Sequence, residues 1–400
     1  MRREEVYAWV DASRDRIVDL TSQLIKIPSR NPPGEYEAIS RFVADTLEGI
    51  ECEVDTIKSK PNKPNLVGRI KGTVGKPVLL YSVHMDTVPE GTGWTVPPFG
   101  GVVKDGKIYG RGALDAKGRM AVYLMAAKAL KETGVKLGGD LVLAMTVDEE
   151  TGGEDGAKYL VENGYLKGDM AICEWVQDSV LVGGTGYRLL RITTTGQHTR
   201  SKTVNAVEKM TKIVFELSKL QQKLKSRKSR IPDIGCTTIR VASIESSGVP
   251  VTWFEDEITP DRCSIDVQIV AIPEMDADDL VRRVQQMLNN LKKQDRDFKA
   301  KMKVLFGFDG WATPIKSSLP RSISKVAKEF GMKPKMTGIV GRAAASDGRF
   351  YLRAGMQMAQ WGVGTPDCGF HKPDEFIRID DLVLMTKVHA ALMMEILGVG

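Results

Sequence analysis

The sequence predicts an α/β protein with a mostly parallel sheet flanked by helices and a smaller α/β domain inserted into it. Three observations support this prediction. Short, strongly apolar segments recur in the first half of the chain. Segments with helical apolar spacing separate them. Polar and acidic residues follow the apolar segments directly, and open α/β sheets place their functional sites at the ends of their strands.

The first part of the chain alternates between helix and buried strand. Helical spacing extends over residues 5–27 and again over 36–48, with the loop SRNPPG between them. Three apolar runs follow, at 78–83, 141–147 and 170–173. Runs this short and apolar indicate strands that are covered on both faces. The segment after Gly118, MAVYLMAAKAL, predicts a crossover helix.

The pattern changes near residue 184. The predicted order becomes βαββαβ, with elements at 187–195, 203–224, 235–245, 261–272, 276–293 and 298–306. This order is typical of a ferredoxin-like unit. In the last strand, alternation predicts that Phe298, Ala300, Met302 and Val304 share one buried face. We therefore expect a catalytic domain formed by 1–184 and 308–400 and an inserted domain at 185–307.

Composition excludes several other classes of protein. Lysine and arginine number 57 against 51 aspartates and glutamates, an excess too small to require a nucleic-acid partner. The run KLKSRKSR fits a solvated helix end, because the helix dipole favours positive charge there. No apolar run reaches the roughly 18 residues of a membrane helix. Five widely spaced cysteines without a C-x-x-C pair indicate a reducing compartment, and we expect a cytoplasmic protein.

Polar residues with metal-binding chemistry follow the predicted strands. They are His84, Asp86, Asp115, Asp148, Glu149, Glu150, Glu174, His371 and Glu375. Each one alone has a structural explanation, since a histidine there is usually a loop residue and a carboxylate is usually a helix cap. Converging carboxylates, however, repel one another unless cations neutralise them. Histidines and carboxylates without a thiolate suit a hydrolytic pair of zinc, cobalt or manganese ions.

The motifs identify a family. HMDTVP, GRGALDAKG, DEE, CEW and SDGRF…FHKPDE occur in this order and resemble the metallohydrolases that include acetylornithine deacetylase, succinyl-diaminopimelate desuccinylase and glutamate carboxypeptidase. The similarity extends from the first helix to the last. It implies a homodimer formed through the inserted domain, which acts as a lid, and a small-molecule substrate.

The resemblance implies a site with two divalent metal ions per subunit. Of its ligands, His84 and Glu174 would bind one ion and Glu150 and His371 the other, while Asp115 would bridge both. Zinc is the expected ion, with cobalt and manganese as alternatives. Two cations lower the pKa of a bound water and stabilise a tetrahedral oxyanion.

The same resemblance assigns catalytic roles. Asp86 would orient His84, and Glu149 would be the general base that moves a proton from the metal-bridging water to the leaving amine. Successive side chains of an extended segment point in opposite directions. Glu150 could therefore bind metal while Glu149 faces the substrate. The resemblance also implies a cis peptide bond after Asp115.

Two further residues are candidates for the site. Arg349 in SDGRF would bind a substrate carboxylate, and an ion pair with Asp347 is an equally good interpretation. His198 would stabilise the oxyanion in the partner subunit's site, and a surface histidine without a role is the alternative. The inserted domain departs from desuccinylases, because Glu257 and Val270 replace an asparagine and an arginine.

These motifs predict hydrolysis of an amide bond in a small N-acyl amino acid or a short peptide. A dipeptidase or carboxypeptidase is the alternative among enzymes. A binding protein that has lost turnover is the alternative outside that class. The presence of all five ligands together with Asp86 and Glu149 argues against a binding protein.

Overall fold

The computed structural model describes residues 2–176, 179–199, 201–247, 259–362 and 364–399. The chain divides into two compact units. The first unit contains Met1–Val182, Thr313–Met336 and Ser346–Gly400, and the second contains Gly183–Ala312 and Thr337–Ala345. The sequence predicted an inserted domain of residues 185–307. In the structure, residues 337–345 also belong to the second unit, and this was not predicted.

The described residues form both α-helices and strands along the whole chain. The helices are α1 Arg2–Ala12, α2 Arg14–Lys26, α3 Glu37–Glu48, α4 Lys117–Glu132, α5 Tyr159–Glu162, α6 Ala206–Leu224, α7 Ala277–Gln294, α8 Ser318–Glu329, α9 Gly348–Arg353 and α10 Ile379–Leu397. The strands are β1 Glu53–Lys58, β2 Pro64–Ile70, β3 Val78–His84, β4 Val102–Lys104, β5 Lys107–Tyr109, β6 Asp140–Thr146, β7 Met170–Cys173, β8 Val180–Gly184, β9 Gly186–Thr195, β10 Gln197–Thr199, β11 Lys202–Val204, β12 Thr238–Ser246, β13 Arg262–Ala271, β14 Ala300–Phe308, β15 Trp311–Ala312, β16 Met336–Ile339, β17 Gln357–Trp361 and β18 Phe376–Arg378.

The sheet of the first unit has the strand order β1-β2-β6-β3-β7-β17-β8. Its four central strands, from β6 to β17, are parallel. The pairs β1–β2, β2–β6 and β17–β8 are antiparallel. This arrangement confirms the predicted α/β class. The antiparallel strand β1 was not predicted, because Ile57 is its only buried residue and its apolar signal is weak.

Helices α4 and α10 of the first unit are buried on almost all sides. The apolar sequence of α4 packs against α10, α2 and β3, as expected for a helix without a polar face. The helix predicted over 5–27 is in fact two helices, α1 and α2. Ser13 interrupts it with φ −97° and ψ 14°, which are not helical values.

Four parallel strands end at the same edge of the sheet. β3 ends at His84, β6 at Thr146, β7 at Cys173 and β17 at Trp361. Because parallel strands share a direction, the residues that follow them are gathered along one edge. This geometry brings motifs that are distant in sequence into one site.

The second unit has a four-stranded antiparallel sheet in the order β12-β13-β9-β14. Helices α6 and α7 pack against it, with Met210, Leu280 and Ile265 in the common core. The succession βαββαβ is present, and the hairpin β10–β11 is added after β9.

The predicted burial of Val304 is wrong. The pairing register of β14 shifts between Val304 and Phe306, which marks a bulge. The bulge and the edge position leave Val304 45%, Leu305 41% and Phe306 46% exposed. Simple alternation therefore fails at the end of this strand.

Two findings bear on the environment of the protein. Within the described residues, no helix has both the length and the apolarity that crossing a membrane requires. All five cysteines are free thiols.

Candidate metal centre

Asp115 lies between two imidazoles. Its Oδ1 is 3.2 Å from His84 Nε2, and its Oδ2 is 3.0 Å from His371 Nε2. His371 Nε2 is also 3.5 Å from Glu150 Oε2. One ligand atom each from His84, Asp115 and Glu150 lie within 4.8 Å of one another. The structure thus brings four predicted ligands together, and each oxygen of Asp115 faces a different histidine.

The ring of His84 is held by Asp86. Nδ1 of His84 is 2.9 Å from the backbone carbonyl of Asp86 and 3.6 Å from its carboxylate Oδ1. Since a carbonyl oxygen only accepts, Nδ1 donates to it, and in the neutral imidazole the lone pair is then on Nε2. Both side chains are buried. In that neutral form, which a metal ion requires, Nε2 presents its lone pair toward Asp115.

The carboxylate of Asp86 also fixes the segment that carries the two glutamates. It accepts hydrogen bonds from the backbone N–H of Glu150 at 3.2 Å and of Glu149 at 3.4 Å. Asn31 Nδ2 donates to the same carboxylate at 2.9 Å. Asp86 consequently positions Glu149 and Glu150 as well as His84.

The segment after β6 is not extended, so the predicted reason for the divergence of the glutamates is wrong. Asp148 has a left-handed φ of 73°, and Glu149–Thr151 forms a single 3-10 turn. Lys63 Nζ holds the Asp148 carboxylate at 2.7 Å. With about three residues per turn, adjacent side chains of such a turn point roughly 120° apart. Glu149 and Glu150 diverge for this different reason.

The Asp115–Ala116 peptide bond is cis, which confirms the expectation for this bond. Helix α4 begins immediately afterwards at Lys117. Asp115, which lies between two histidines, is thus followed by the cis peptide bond that the family resemblance implies.

Glu174 follows β7 and is buried. Its backbone carbonyl accepts a hydrogen bond of 3.1 Å from Gln360 on β17. Burial raises the pKa of its carboxyl to about 8, against the opposing effect of the nearby His84. The residue lies at the predicted sheet edge, and its role as a metal ligand stays a prediction.

Burial and mutual repulsion dominate the electrostatics of the site. Burial raises the pKa of Glu149 well above its usual value, and the negative charges of Asp347, Glu150 and Glu174 add to this effect. Burial would also raise the pKa of Asp115, but hydrogen bonds to His371 and His84 hold it below its usual value.

His371 shows the excess of negative charge most directly. Burial would lower its pKa, yet Asp115 and Glu150 raise it to about 10. Divalent cations would relieve the repulsion between these carboxylates and would bind the imidazoles in their neutral form. The nitrogen and oxygen donors of the site fit zinc, cobalt or manganese.

Four further residues hold side chains of this site by hydrogen bonds or ion pairs, although none of them was predicted to do so. They are Asn31, Lys63, Thr146 and Asp347. Thr146 Oγ1 donates to the buried Asp347 carboxylate at 3.0 Å, and burial raises the pKa of Asp347 to about 6. The SDGRF motif contains Asp347 and could have indicated it. A single asparagine or lysine in a loop carries no comparable pattern.

Arg349 is mostly buried and donates to two backbone carbonyls. Its Nη1 is 2.6 Å from Ser346 O, and its Nη2 is 2.7 Å from Gly152 O. These bonds favour a role in holding the loops that carry the site. Binding of a substrate carboxylate by Arg349 stays a prediction.

His198 lies in the second unit, on the exposed strand β10. Its Nδ1 is 3.3 Å from Thr203 Oγ1 in the same hairpin. Its predicted action on a partner subunit stays a prediction. Glu257 lies outside the described residues, whereas Val270 packs against an apolar cluster that includes Tyr187 and Phe308.

His389 packs into the protein interior from helix α10. It is fully buried, and Tyr81 Oη lies 3.2 Å from its Nδ1. Burial lowers its pKa to about 3, so the ring is neutral near pH 7. Its surroundings are aromatic, with Tyr123 and Trp361 in edge-on contact.

Comparisons with known proteins agree with the geometry. Residues 80–395 match the sequence profile of peptidase family M20/M25/M40. An N-formyl-4-amino-5-aminomethyl-2-methylpyrimidine deformylase from Halalkalibacterium halodurans is 31% identical over 313 residues, covering 73% of this chain and 71% of the relative. A succinyl-diaminopimelate desuccinylase from Pelagibacter ubique is 25% identical over 402 residues, covering 94% and 97%.

A solved structure shows the same fold. Aminopeptidase PepT from Bacillus cereus superposes with a TM-score of 0.76 at 18% identity, covering 96% of this chain and 98% of that one. Sequence profile, relatives and fold thus agree on one group of metal-dependent hydrolases.

Proposed function

The chain belongs to peptidase family M20/M25/M40 and is a metal-dependent amidohydrolase, and we propose that its substrate is a small N-acyl amino acid or a short peptide. A deformylase and a desuccinylase among its relatives support removal of a small acyl group from an amide nitrogen. The name of the desuccinylase describes an N-acyl amino acid, whereas that of the deformylase describes an N-formyl aminomethylpyrimidine. A dipeptidase or carboxypeptidase is the alternative.

The observation that carries the proposal is the position of Asp115. Its two oxygens lie 3.2 and 3.0 Å from the Nε2 atoms of His84 and His371. A carboxylate in this position suits a bridge between two metal ions. We propose His84, Glu174, Glu150 and His371 as the remaining ligands and zinc as the expected ion. The two ions would lower the pKa of a bound water and polarise the amide carbonyl.

Glu149 is the proposed general base. It accepts a proton from the attacking water and donates it to the nitrogen of the leaving amine. Its position is fixed by the hydrogen bond from its backbone N–H to Asp86, at 3.4 Å. Burial raises the pKa of Glu149, which makes its carboxylate a stronger base toward the proton of the water.

We also propose a cytoplasmic homodimer that associates through the second unit. His198 of the partner subunit would donate a hydrogen bond to the developing oxyanion. A donor placed in this way contributes about 10²–10³ to the rate. Free thiols at all five cysteines are compatible with a reducing compartment.

A substrate screen on metal-reconstituted protein tests this proposal. We expect two metal equivalents per subunit and hydrolysis of at least one N-formyl, N-acetyl, N-succinyl or dipeptide compound, with loss of activity in excess chelator. The Glu149→Gln variant serves as a control for contaminating hydrolases. Binding of two metal ions without hydrolysis of any compound in the screen would contradict the proposed substrate range.

A further inference from the structure

We propose that Glu375 is a positioning residue of the metal centre, whose buried carboxylate fixes Asp115 and connects it to the loop of His371. This inference rests on the proposed function, because it concerns the metal ions that Asp115 and His371 would hold. Glu375 itself would touch neither metal nor substrate.

The carboxylate of Glu375 holds the backbone on the N-terminal side of Asp115. Its Oε1 accepts the N–H of Leu114 at 2.8 Å and the N–H of Asp115 at 3.0 Å. Glu375 is fully buried, so water does not compete for these bonds. Fixing two consecutive amides limits rotation of the peptide planes and therefore the direction of the Asp115 side chain.

Arg111 ties the same carboxylate to the loop of His371. Its Nη1 lies 2.5 Å from Glu375 Oε2 and 3.3 Å from the backbone carbonyl of Lys372, the residue after His371. The N–H of Gly110 donates to the backbone carbonyl of Glu375 at 2.9 Å. The loop of Asp115 and the loop of His371 are thus joined by backbone and side-chain bonds.

Stability alone does not explain this ion pair. Arg111 is 2% and Glu375 0% exposed, and desolvating two charges costs about as much as their attraction returns. An apolar pair of similar volume would stabilise the fold equally well. An additional carboxylate close to Asp115 also increases the repulsion within the site. A role in aligning metal ligands accounts for its presence, since residues that orient ligands contribute strongly to metal affinity.

Glu375 is not itself a candidate ligand. One carboxylate oxygen accepts the two backbone N–H groups, and the other accepts the guanidinium of Arg111. Its effect on the metal ions therefore acts through Asp115 and His371.

The test is a competition for Co²⁺ between the protein and a chromophoric chelator, with Glu375→Gln as the variant. Glutamine keeps the shape but has one acceptor oxygen, so it cannot serve both Arg111 and the two backbone amides. We expect the affinity of the folded variant for Co²⁺ to fall about 10- to 100-fold, with the fold checked by circular dichroism. The metal-free Tm should fall as well, because the buried Arg111 loses its charged partner.

Asp374→Asn is the matched control. It makes the same carboxylate-to-amide change one residue away, and Asp374 binds the N–H and Oγ1 of Thr95 at 2.8 and 3.0 Å. Asparagine tolerates the left-handed φ of 54° at this position. We expect its affinity for Co²⁺ to equal that of the wild type.

The outcomes separate the inference from the proposed function. A wild-type protein that binds fewer than two equivalents of Co²⁺ overturns the proposed function. If the wild type binds two equivalents and the folded Glu375→Gln variant binds Co²⁺ with the same affinity as the wild type, the inference fails and the proposed function stands. The same conclusion follows if Asp374→Asn loses as much affinity for Co²⁺ as Glu375→Gln.

If Glu375→Gln does not fold, Arg111→Lys replaces it in the test. Lysine retains a charge next to Glu375 but lacks the rigid guanidinium plane, whose Nη1 contacts both Glu375 and the Lys372 carbonyl and whose Nη2 donates to the Glu90 carbonyl at 3.2 Å. A severalfold loss of Co²⁺ affinity supports the inference, and an unchanged affinity overturns it.

Discussion

Replacing Glu149 by glutamine separates proton transfer from metal binding at this site. Glu149 is adjacent to Glu150 in the 3-10 turn, but only Glu150 lies in the group of ligand atoms within 4.8 Å of one another. Glutamine has nearly the same shape, and the hydrogen bond from the backbone of residue 149 to Asp86 does not depend on the side chain. We expect both metal ions to remain bound.

The expected loss of activity follows from the proton that Glu149 carries. A positioned general base contributes about 10²–10⁴ to the rate, which corresponds to about 2.7–5.4 kcal/mol at 1.36 kcal/mol per tenfold change. No metal ligand is removed, so the loss should appear in kcat, with KM nearly unchanged. Glu150→Gln should instead reduce metal content, because Glu150 Oε2 lies 3.5 Å from His371 Nε2 in the ligand cluster.

The assay combines steady-state kinetics with metal analysis by mass spectrometry on dialysed wild type, Glu149→Gln and Glu150→Gln. The reasoning is wrong if Glu149→Gln loses as much metal as Glu150→Gln, because the two side chains would then share one role. A kcat reduced less than tenfold with full metal content would refute the assignment of Glu149 as the base.

Three further predictions concern His198 of the partner subunit, the metal ions and the ion pair of Glu90. First, mixing inactive His198→Ala and inactive Glu149→Gln proteins should restore activity as subunits exchange, because one site of each heterodimer has an intact Glu149 and a partner His198. Demonstrated exchange without activity, or a fully active His198→Ala protein, speaks against a shared site. Second, removal of metal by a chelator should lower the Tm by several degrees in calorimetry, since a ligand at 100 times its Kd stabilises by about 2.7 kcal/mol; an unchanged Tm contradicts metal binding to the folded state. Third, hydrogen bonds from Arg30 at 2.7 and 2.9 Å lower the pKa of Glu90 to about 2. A lowered pKa stabilises the fold above the unfolded value of about 4.3, and this stabilisation is lost as pH falls toward the folded value. Glu90→Gln should therefore cost about 1 kcal/mol in urea titrations at pH 7, allowing for solvent screening, and less below about pH 4. An equal cost at pH 7 and pH 3 would contradict this reasoning.

Local patterns were sufficient to predict the class of fold and most candidate site residues. Apolar runs such as Val78–Val83 identify buried strands because a strand covered on both faces needs no polar side. Parallel strands place their following residues at one edge. The positions of His84, Glu150 and Glu174 near that edge follow from the order of the elements.

Other features depended on the tertiary structure. The polar strand β1, the interruption at Ser13 and the bulge near Val304 leave weak or misleading signals in the local sequence. The turn at Glu149–Thr151 depends on Asp86, which lies far away in the chain and accepts its backbone N–H groups. A pattern of neighbouring residues cannot report such a partner.

The sequence by itself determined which residues are candidates to bind metal ions and to transfer a proton. The tertiary structure decided which partners hold them. Asn31 and Asp86 are 55 residues apart, and Arg111 and Glu375 are 264 apart. The physical reason is that hydrophobic periodicity records the exposure of each side chain to solvent, whereas a buried hydrogen bond depends on where two distant segments meet after folding.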